Sequence, residues 1–133
     1  RYAVADQGWE LKEARLQDVK NRQNSIELKG LTLNEQNLME QWKSKQEQLI
    51  RDAEYAYDWA LSKGIAKEQA RAVLPEGLTV SRLYMNGTLR SWLHYIELRS
   101  GPETQKEHRL VAQECAKVIA TVFPMMAEVI AKD

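Results

Sequence analysis

The chain has 133 residues, enough for one domain with a real core but not for two comfortable ones. Its 19 basic and 19 acidic side chains cancel, which argues against a bulk attraction to nucleic acid or to an anionic membrane. The single cysteine, Cys115, excludes an internal disulfide framework and is consistent with a reducing compartment.

The first 30 residues show little hydrophobic periodicity and contain a polar run at residues 21–25. We expect irregular structure there, with room for one short helix. Residues 1–4 have neither an initiator methionine nor a leader-like composition. We therefore expect the chain to be the interior of a longer protein.

Residues 32–63 carry the clearest helix pattern. Thr32 and Glu35 have the spacing of a capping box, and Gly64 stands where a C-terminal cap belongs. The apolar residues at roughly helical spacing predict an inward face: Leu38, Trp42, Leu49, Ala53, Ala56 and Ala60.

A short second helix is predicted over residues 67–74, because Pro75 and Gly77 follow directly and end it. Residues 79–85 then alternate between apolar and polar side chains, which predicts a strand. The Asn-Gly pair at 86–87 predicts a turn after that strand.

Two further helices are predicted in the last third of the chain. Thr88 is placed to cap a helix that runs to about Arg99, before the Gly-Pro pair at 101–102. A longer helix is expected over residues 103–123, until Pro124 breaks it ahead of a short terminal turn or helix. One apolar stripe is predicted to bury that longer helix: Leu110, Val111, Cys115, Val118, Ile119 and Val122.

Cationic side chains interrupt residues 70–99, which otherwise have the pattern of a core: Arg71, Arg82, Arg90, His94 and Arg99. A core does not usually contain guanidinium groups, because their charge cannot be shed and must be paired. The planar fork of arginine suits phosphate and carbonyl oxygens, so the cluster suggests an anionic ligand. The alternative is that these arginines lie on the surface or pair with nearby glutamates.

Three of these cations also have an ordinary structural explanation. Arg90 and His94 are four residues apart and share a helix face, but a lone histidine is more often a packing residue than a catalyst. Arg99 stands at a predicted helix C-terminus, where the helix dipole favours a cation. Arg71 fits the exposed side of a short helix.

Other kinds of site are not indicated by the sequence. His94 and His108 are too far apart to form a metal site with the single cysteine. Cys115 falls on an apolar helix face, which favours a core residue over a nucleophile. No Ser-His-Asp order, phosphate-binding loop or dinucleotide glycine fingerprint is present.

Several motifs follow one another over the second half of the chain. An alanine-arginine-x-x-leucine-proline element stands at residues 70–75, and the sequence TLRSWLHY stands at residues 88–95. The helix containing that sequence ends in leucine-arginine at residues 98–99, and a glutamine-x-glutamate follows at 105–107. In order and spacing these motifs closely resemble the C-terminal half of the flavin-dependent thymidylate synthases.

The resemblance extends over most of the chain. The opening Arg1-Tyr2 resembles the end of the family's signature motif, and residues 21–25 resemble a loop of some members. The family's arginine-histidine-arginine motif would lie just before Arg1. The resemblance thus implies that residues 1–133 are the C-terminal portion of a single domain and are inactive alone. It also implies an α+β fold that is predominantly helical here, with one or two short strands joining an antiparallel sheet of the complete enzyme.

The resemblance implies roles for individual residues. Arg1 and Arg71 would bind the phosphate side of dUMP, and Arg99 would face the uracil ring as the catalytic residue. The residues implied to lie against FAD are Thr88, Leu89, Arg90 and His94. A guanidinium is no base at neutral pH, but it stabilises negative charge developing on a uracil oxygen.

The implied reaction is the reductive methylation of dUMP to dTMP, with methylenetetrahydrofolate as carbon donor and NADPH as reductant through FAD. The resemblance further implies a cytoplasmic homotetramer (in the host cytoplasm for a viral source) with sites shared between subunits. No metal, nucleic acid or membrane is expected as a partner. Two other hypotheses are a non-catalytic helical interaction module and a nucleotide-binding regulator that retain the fold.

Overall fold

The computed structural model describes residues 8–130, the last two by their backbone alone. Their contacts form two compact units: residues 8–14 with 28–84, and residues 15–27 with 85–130. Helices predominate, and a two-stranded antiparallel sheet accompanies them. The predicted α+β, predominantly helical class is therefore confirmed.

The first unit is built on helix α1, Leu33–Ser62. The hydroxyl of Thr32 accepts a hydrogen bond from the Glu35 N–H at 3.2 Å, and the Glu35 carboxylate accepts one from the Leu31 N–H. At the other end Gly64 has a φ of 76°, and the Ile65 N–H donates to the Ala60 carbonyl at 3.0 Å. Both helix ends are thus closed as the capping residues predict.

The buried face of α1 differs from the predicted one. Its buried residues are Gln46, Ala53, Tyr57 and Ala60. Tyr57 and Ala60 form a core cluster with Ala70, against which Leu74 packs. The predicted face was wrong for Leu38, Trp42 and Leu49, which are exposed in this chain. Helical spacing gave the right period, but apart from Tyr57 the large apolar side chains of α1 were not the ones buried.

A short helix, α2, covers Lys67–Ala70 and continues as a 3-10 turn, Arg71–Val73. A second 3-10 turn, Glu76–Leu78, follows Pro75. The strand predicted over residues 79–85 was wrong, since only Thr79 forms a bridge, with Trp9. The residues after it have no strand to pair with in the described part of the chain, and Tyr84 is 86% exposed. The turn predicted at residues 86–87 does not form either.

The second unit begins with an antiparallel hairpin of β1, Arg15–Gln17, and β2, Ser25–Glu27. The short helix expected in this region was wrong, because no residue between 8 and 30 is helical. The carboxylate of Asp18 organises the connecting loop by accepting hydrogen bonds from the Lys20 and Asn21 N–H groups and the Asn24 amide. These bonds hold the pKa of Asp18 below its ordinary value.

Helix α3 runs over Leu89–Arg99, as predicted, and α4 over Lys106–Val122. Residues 101–104 form a turn, which delays the start of α4 by three residues from the predicted position. A 3-10 turn, Pro124–Met126, and a short helix α5, Ala127–Ile130, end the described chain. This confirms the break predicted at Pro124.

The apolar stripe predicted to bury α4 is largely exposed. The fully buried positions of α4 are Ala112 and Ala116, and α4 packs against both α3 and α5. Val118, by contrast, is 63% exposed. Small residues let helices approach closely, so the alanine line forms the contact and the larger residues lie beside it.

Candidate functional site

The predicted site residues fall in both units. Arg71 belongs to the first unit, in the 3-10 turn after α2. The predicted flavin-side residues and Arg99 belong to the second, on α3 or at its cap. Arg1 lies outside the described residues.

Arg71 is fixed by the core rather than lying on an open helix side. Its neighbour Ala70 is almost fully buried against Tyr57 and Ala60, and Leu74 packs on the same cluster. The Arg71 side chain is half-buried, and its Nε atom is buried with no hydrogen-bond partner among the described residues. A buried guanidinium N–H without an acceptor is costly, so this geometry favours an anionic ligand that supplies one.

The N-terminus of α3 presents donors beside a cation. Thr88 closes it: its hydroxyl accepts a hydrogen bond from the Ser91 N–H at 3.2 Å and contacts the Ser91 hydroxyl at 3.0 Å. The N–H groups of Leu89 and Arg90 have no partner among residues 8–130. Free N–H groups at a helix N-terminus attract anions, and Arg90 adds its own charge there.

Helix α3 separates its cations onto two faces. Arg90 and His94 are exposed and, four residues apart, lie on the same face. Arg99 is also exposed but follows Arg90 by nine positions, which at roughly 100° per residue places it on the opposite side of the helix. None of the three forms an ion pair within the described part of the chain. Of the two alternative explanations, pairing with local glutamates is therefore not observed for these three cations, whereas their exposure agrees with a position on the surface.

Aromatic rings adjoin the Arg99 side of α3. The Tyr95 ring meets the Trp92 ring edge to face, with centroids 5.7 Å apart, and lies 5.6 Å from the imidazole of His108 on α4. Burial raises the pKa of the Tyr95 hydroxyl, the Cys115 thiol raises it further, and Arg99 opposes the rise. Arg99 is thus electrostatically coupled to a packed aromatic cluster.

An open apolar groove of about 570 Å³ runs along α4. Its lining residues are Trp92, Leu110, Val111, Glu114, Cys115, Val118 and Ile119. Cys115 is half-buried in this groove, so its prediction as a core residue was only partly right. Its surroundings are apolar and contain one acidic side chain, which is not the electropositive setting of a reactive thiolate.

The glutamine-x-glutamate motif holds the hairpin to the start of α4. The Lys106 ammonium lies 2.7 Å from the Glu27 carboxylate, and Glu107 pairs with Arg15. The hydrogen bond and charge of Lys106 lower the pKa of Glu27. Two of the three motif residues therefore form ion pairs with the strands of the hairpin.

Sequence reasoning did not identify Gln46 or His108. Gln46 is a buried amide on an otherwise polar stretch of helix, and His108 entered the sequence analysis only as a residue that does not form a metal site. Gln46 contacts Lys12, and His108 contacts Tyr95. Only these tertiary contacts show what the two side chains do.

Two further features are absent from the described residues. No helix there combines the length and apolarity needed to cross a membrane. Residues 8–130 also contain no group of three or more metal-ligating side chains placed to hold an ion.

Known proteins match most of this chain. The family model described as "Thymidylate synthase complementing protein" matches residues 4–125. A "Flavin-dependent thymidylate synthase" of Synechocystis sp. is 42% identical over 128 residues, which cover 96% of this chain and 56% of that protein. A "Probable flavin-dependent thymidylate synthase" of Paramecium bursaria Chlorella virus 1 is 44% identical over 87% of this chain and 51% of its own length.

A Thermus thermophilus protein, also named flavin-dependent thymidylate synthase, is 34% identical over 94% of the chain and 43% of its own length. The chain thus spans about half the length of the curated relatives it matches. Because the family model covers almost all of the sequence, the chain belongs to the thymidylate synthase complementing protein family.

Proposed function

We propose that this chain is the C-terminal portion of a flavin-dependent thymidylate synthase and forms part of a single catalytic domain. The protein methylates dUMP to dTMP, taking the carbon from methylenetetrahydrofolate and reducing equivalents from NADPH through FAD. The names of the relatives support the reaction class. The observation that carries the assignment to this site is the buried, unpartnered Nε of Arg71, within a series of motifs whose order resembles that of the family.

Arg71 binds the phosphate of dUMP in this proposal, together with Arg1. A phosphate oxygen accepts well from a guanidinium, and it would satisfy the Nε–H that has no acceptor among the described residues. The core contacts of Ala70 and Leu74 hold the Arg71 backbone in place before the nucleotide arrives. Little conformational entropy is therefore lost in ordering the turn when dUMP binds.

Arg99 acts on the uracil ring. As a new carbon bond forms on the ring, negative charge accumulates on a uracil oxygen, and a fixed guanidinium stabilises that charge. Arg99 has no ion-pair partner among the described residues that would weaken its field. Its interaction is stronger in the transition state than in the bound substrate, so it accelerates the chemical step.

The residues at the start of α3 fit part of a FAD site. The free N–H groups of Leu89 and Arg90 and the Arg90 guanidinium suit a diphosphate, while the exposed His94 imidazole offers a further donor or a ring contact one turn along. Thr88 contributes by fixing the helix end, since its hydroxyl is engaged with Ser91. FAD, when bound, supplies the redox chemistry, and these residues supply orientation and charge.

The protein assembles as a homotetramer whose sites are shared between subunits. The groove along α4 and exposed residues of α1 such as Trp42 and Leu49 leave apolar surface that a partner would cover. The placement of Arg90 and Arg99 on opposite sides of α3 gives a second argument. Flavin and uracil must touch to react, so the two faces of one α3 serve two different sites.

The assay that tests this proposal uses the intact protein, purified with its bound cofactor. We expect a flavin absorbance spectrum and formation of dTMP that requires dUMP, methylenetetrahydrofolate and NADPH together. A protein without flavin that fails to bind dUMP would support a non-catalytic helical module. Tight dUMP binding without flavin would support a nucleotide-binding regulator instead. We place the activity in the cytoplasm, or in the host cytoplasm for a viral source.

A further inference from the structure

The hairpin of β1 and β2 turns its charged face inward and its apolar face outward. Arg15 and Glu27 are cross-strand partners, and each forms an ion pair with the start of α4. Because side chains alternate between the two faces of a strand, the next cross-strand pair, Leu16 and Ile26, projects from the opposite face. Their exposed fractions are 45% and 50%. A solvated sheet face is normally polar, so this arrangement indicates a face that another surface covers.

The loop of the hairpin has a fixed conformation. Within it the Asp18 carboxylate accepts hydrogen bonds from two backbone N–H groups and one side-chain amide. These bonds hold Val19 at the apex, where 94% of its surface is exposed. Two exposed cations follow, Lys20 and Arg22, and neither forms an ion pair within residues 8–130. The apex is therefore a preorganised apolar projection with positive charge beside it.

The same unit contains a recess of matching character. The groove along α4 is lined by apolar side chains, and Glu114 is the charged residue among them. Glu114 pairs with Lys117 at 2.6 Å, but both side chains are mostly exposed, so this is a surface pair that can exchange partners. Val19 is exposed and the groove is open, so the hairpin of one copy does not fill that copy's own groove.

We propose that the hairpin apex of one copy of this protein docks into the α4 groove of a second copy. Val19 enters the groove, Leu16 and Ile26 extend the apolar contact, and the cations beside the apex approach Glu114. A projection and a complementary recess on the same chain let identical copies bind one another, reciprocally in a pair or around a closed ring. This inference names surfaces of the homotetramer proposed above and rests on that assembly.

The single cysteine of this chain, Cys115, lines the groove and makes the test direct. Isotopically labelled and unlabelled copies of the intact Val19→Cys protein are mixed, allowed to exchange subunits and oxidised with diamide. We expect a disulfide between residues 19 and 115, with about half of the bridges joining a labelled to an unlabelled copy. Val19→Cys/Cys115→Ala should lose this cross-link. Lys29→Cys, an exposed position just after the hairpin, should not form one with Cys115.

The strength of association gives a second measurement. Val19→Asp should raise the dissociation constant of the assembly about tenfold or more, because a carboxylate would be buried in an apolar groove beside Glu114. Sedimentation of the intact protein measures this change. A tetramer in which residue 19 bridges only to residue 19, or forms no bridge, would overturn the inference, as would wild-type association of Val19→Asp. A wild-type protein that stays monomeric would instead refute the proposed tetramer itself.

Discussion

The Arg71 turn and helix α3 both present arginines, but their surroundings differ. Arg71 is half-buried, its turn is anchored through Ala70 and Leu74, and its Nε is sealed from solvent without an acceptor. Arg90 and Arg99 stand exposed on opposite sides of a helix. We propose that the first region is a largely preformed anion site, and that the second supplies charges to surfaces that other parts of the protein complete.

In the proposed enzyme this difference gives Arg71 a role in binding the substrate and Arg99 a role in the chemical step. A preformed guanidinium gives affinity for a phosphate that does not change during the reaction. An exposed guanidinium that is enclosed only on assembly gains strength where charge develops, because enclosure lowers the local dielectric. The two regions should therefore respond differently to substitution, Arg71 in KM and Arg99 in kcat.

The largest expected effect is at Arg99. Arg99→Ala should lower kcat by on the order of a hundredfold or more, the cost of losing one preorganised charge donor. Arg99→Lys should restore little, because an ammonium lacks the planar fork. Flavin content should remain near normal. Steady-state turnover of the intact protein measures this effect. Near-normal kinetics with a small loss of stability would show that Arg99 only interacts with the helix dipole at the C-terminus of α3.

The second effect is at Arg71. Arg71→Ala should raise the KM for dUMP roughly tenfold to a hundredfold, since charge-assisted hydrogen bonds contribute about 1.5–3 kcal/mol. Its kcat at saturating dUMP should change far less than in Arg99→Ala. Arg51→Ala, an exposed arginine on α1, is the matched control. A kcat defect in Arg71→Ala as large as that of Arg99→Ala would remove the contrast between the two regions.

A smaller effect is expected on the flavin side. Arg90→Ala should weaken FAD binding about tenfold, as for one lost charge-assisted contact, and His94→Ala should weaken it less. Flavin released on dilution, followed by absorbance and fluorescence, measures both. If the double variant Arg90→Ala/His94→Ala retains flavin at the wild-type level, flavin does not bind at this face of α3.

The smallest effect is at Cys115. Cys115→Ala should leave turnover nearly intact and cost about 1 kcal/mol of stability or less, because the thiol packs in an open groove. Thermal unfolding and steady-state kinetics of the intact protein test this together. A folded but inactive variant would give Cys115 a chemical role.

Local signals predicted much of the secondary structure. Thr32, Gly64 and Thr88 fixed helix ends because a cap depends only on its own few residues. The strand expected over 79–85 failed since alternation describes a strand only where a partner strand and a buried face exist. The hairpin at 15–27 was missed because its stabilising contacts, Asp18 within its loop and Glu107 across the unit, do not follow from local apolar pattern.

The candidate site was chosen from the sequence by residue type and not by arrangement. The order of motifs proposes Arg71, Arg90 and Arg99 as site residues, and their roles stay a prediction. Periodicity alone did not predict that Arg71 would be half-buried with an unpartnered Nε. Large apolar residues such as Leu49 and Val118 were assigned to a core, but they remain exposed here. Apolar periodicity locates an apolar face of a helix, but it does not tell whether the same chain buries that face.

Subunit mixing tests the division of α3 between two sites most directly. Arg99→Ala subunits, which turn over slowly, and Arg90→Ala subunits, assayed at a FAD concentration too low to load their weakened flavin site, are dissociated together and allowed to reassemble. If the two residues of one subunit serve different sites, random assembly returns about a quarter of the sites with both arginines intact, and turnover rises accordingly. If both residues of a subunit serve the same site, no mixed assembly contains an intact site. Turnover that stays at the level of the separate variants, with mixed oligomers verified, would contradict the account.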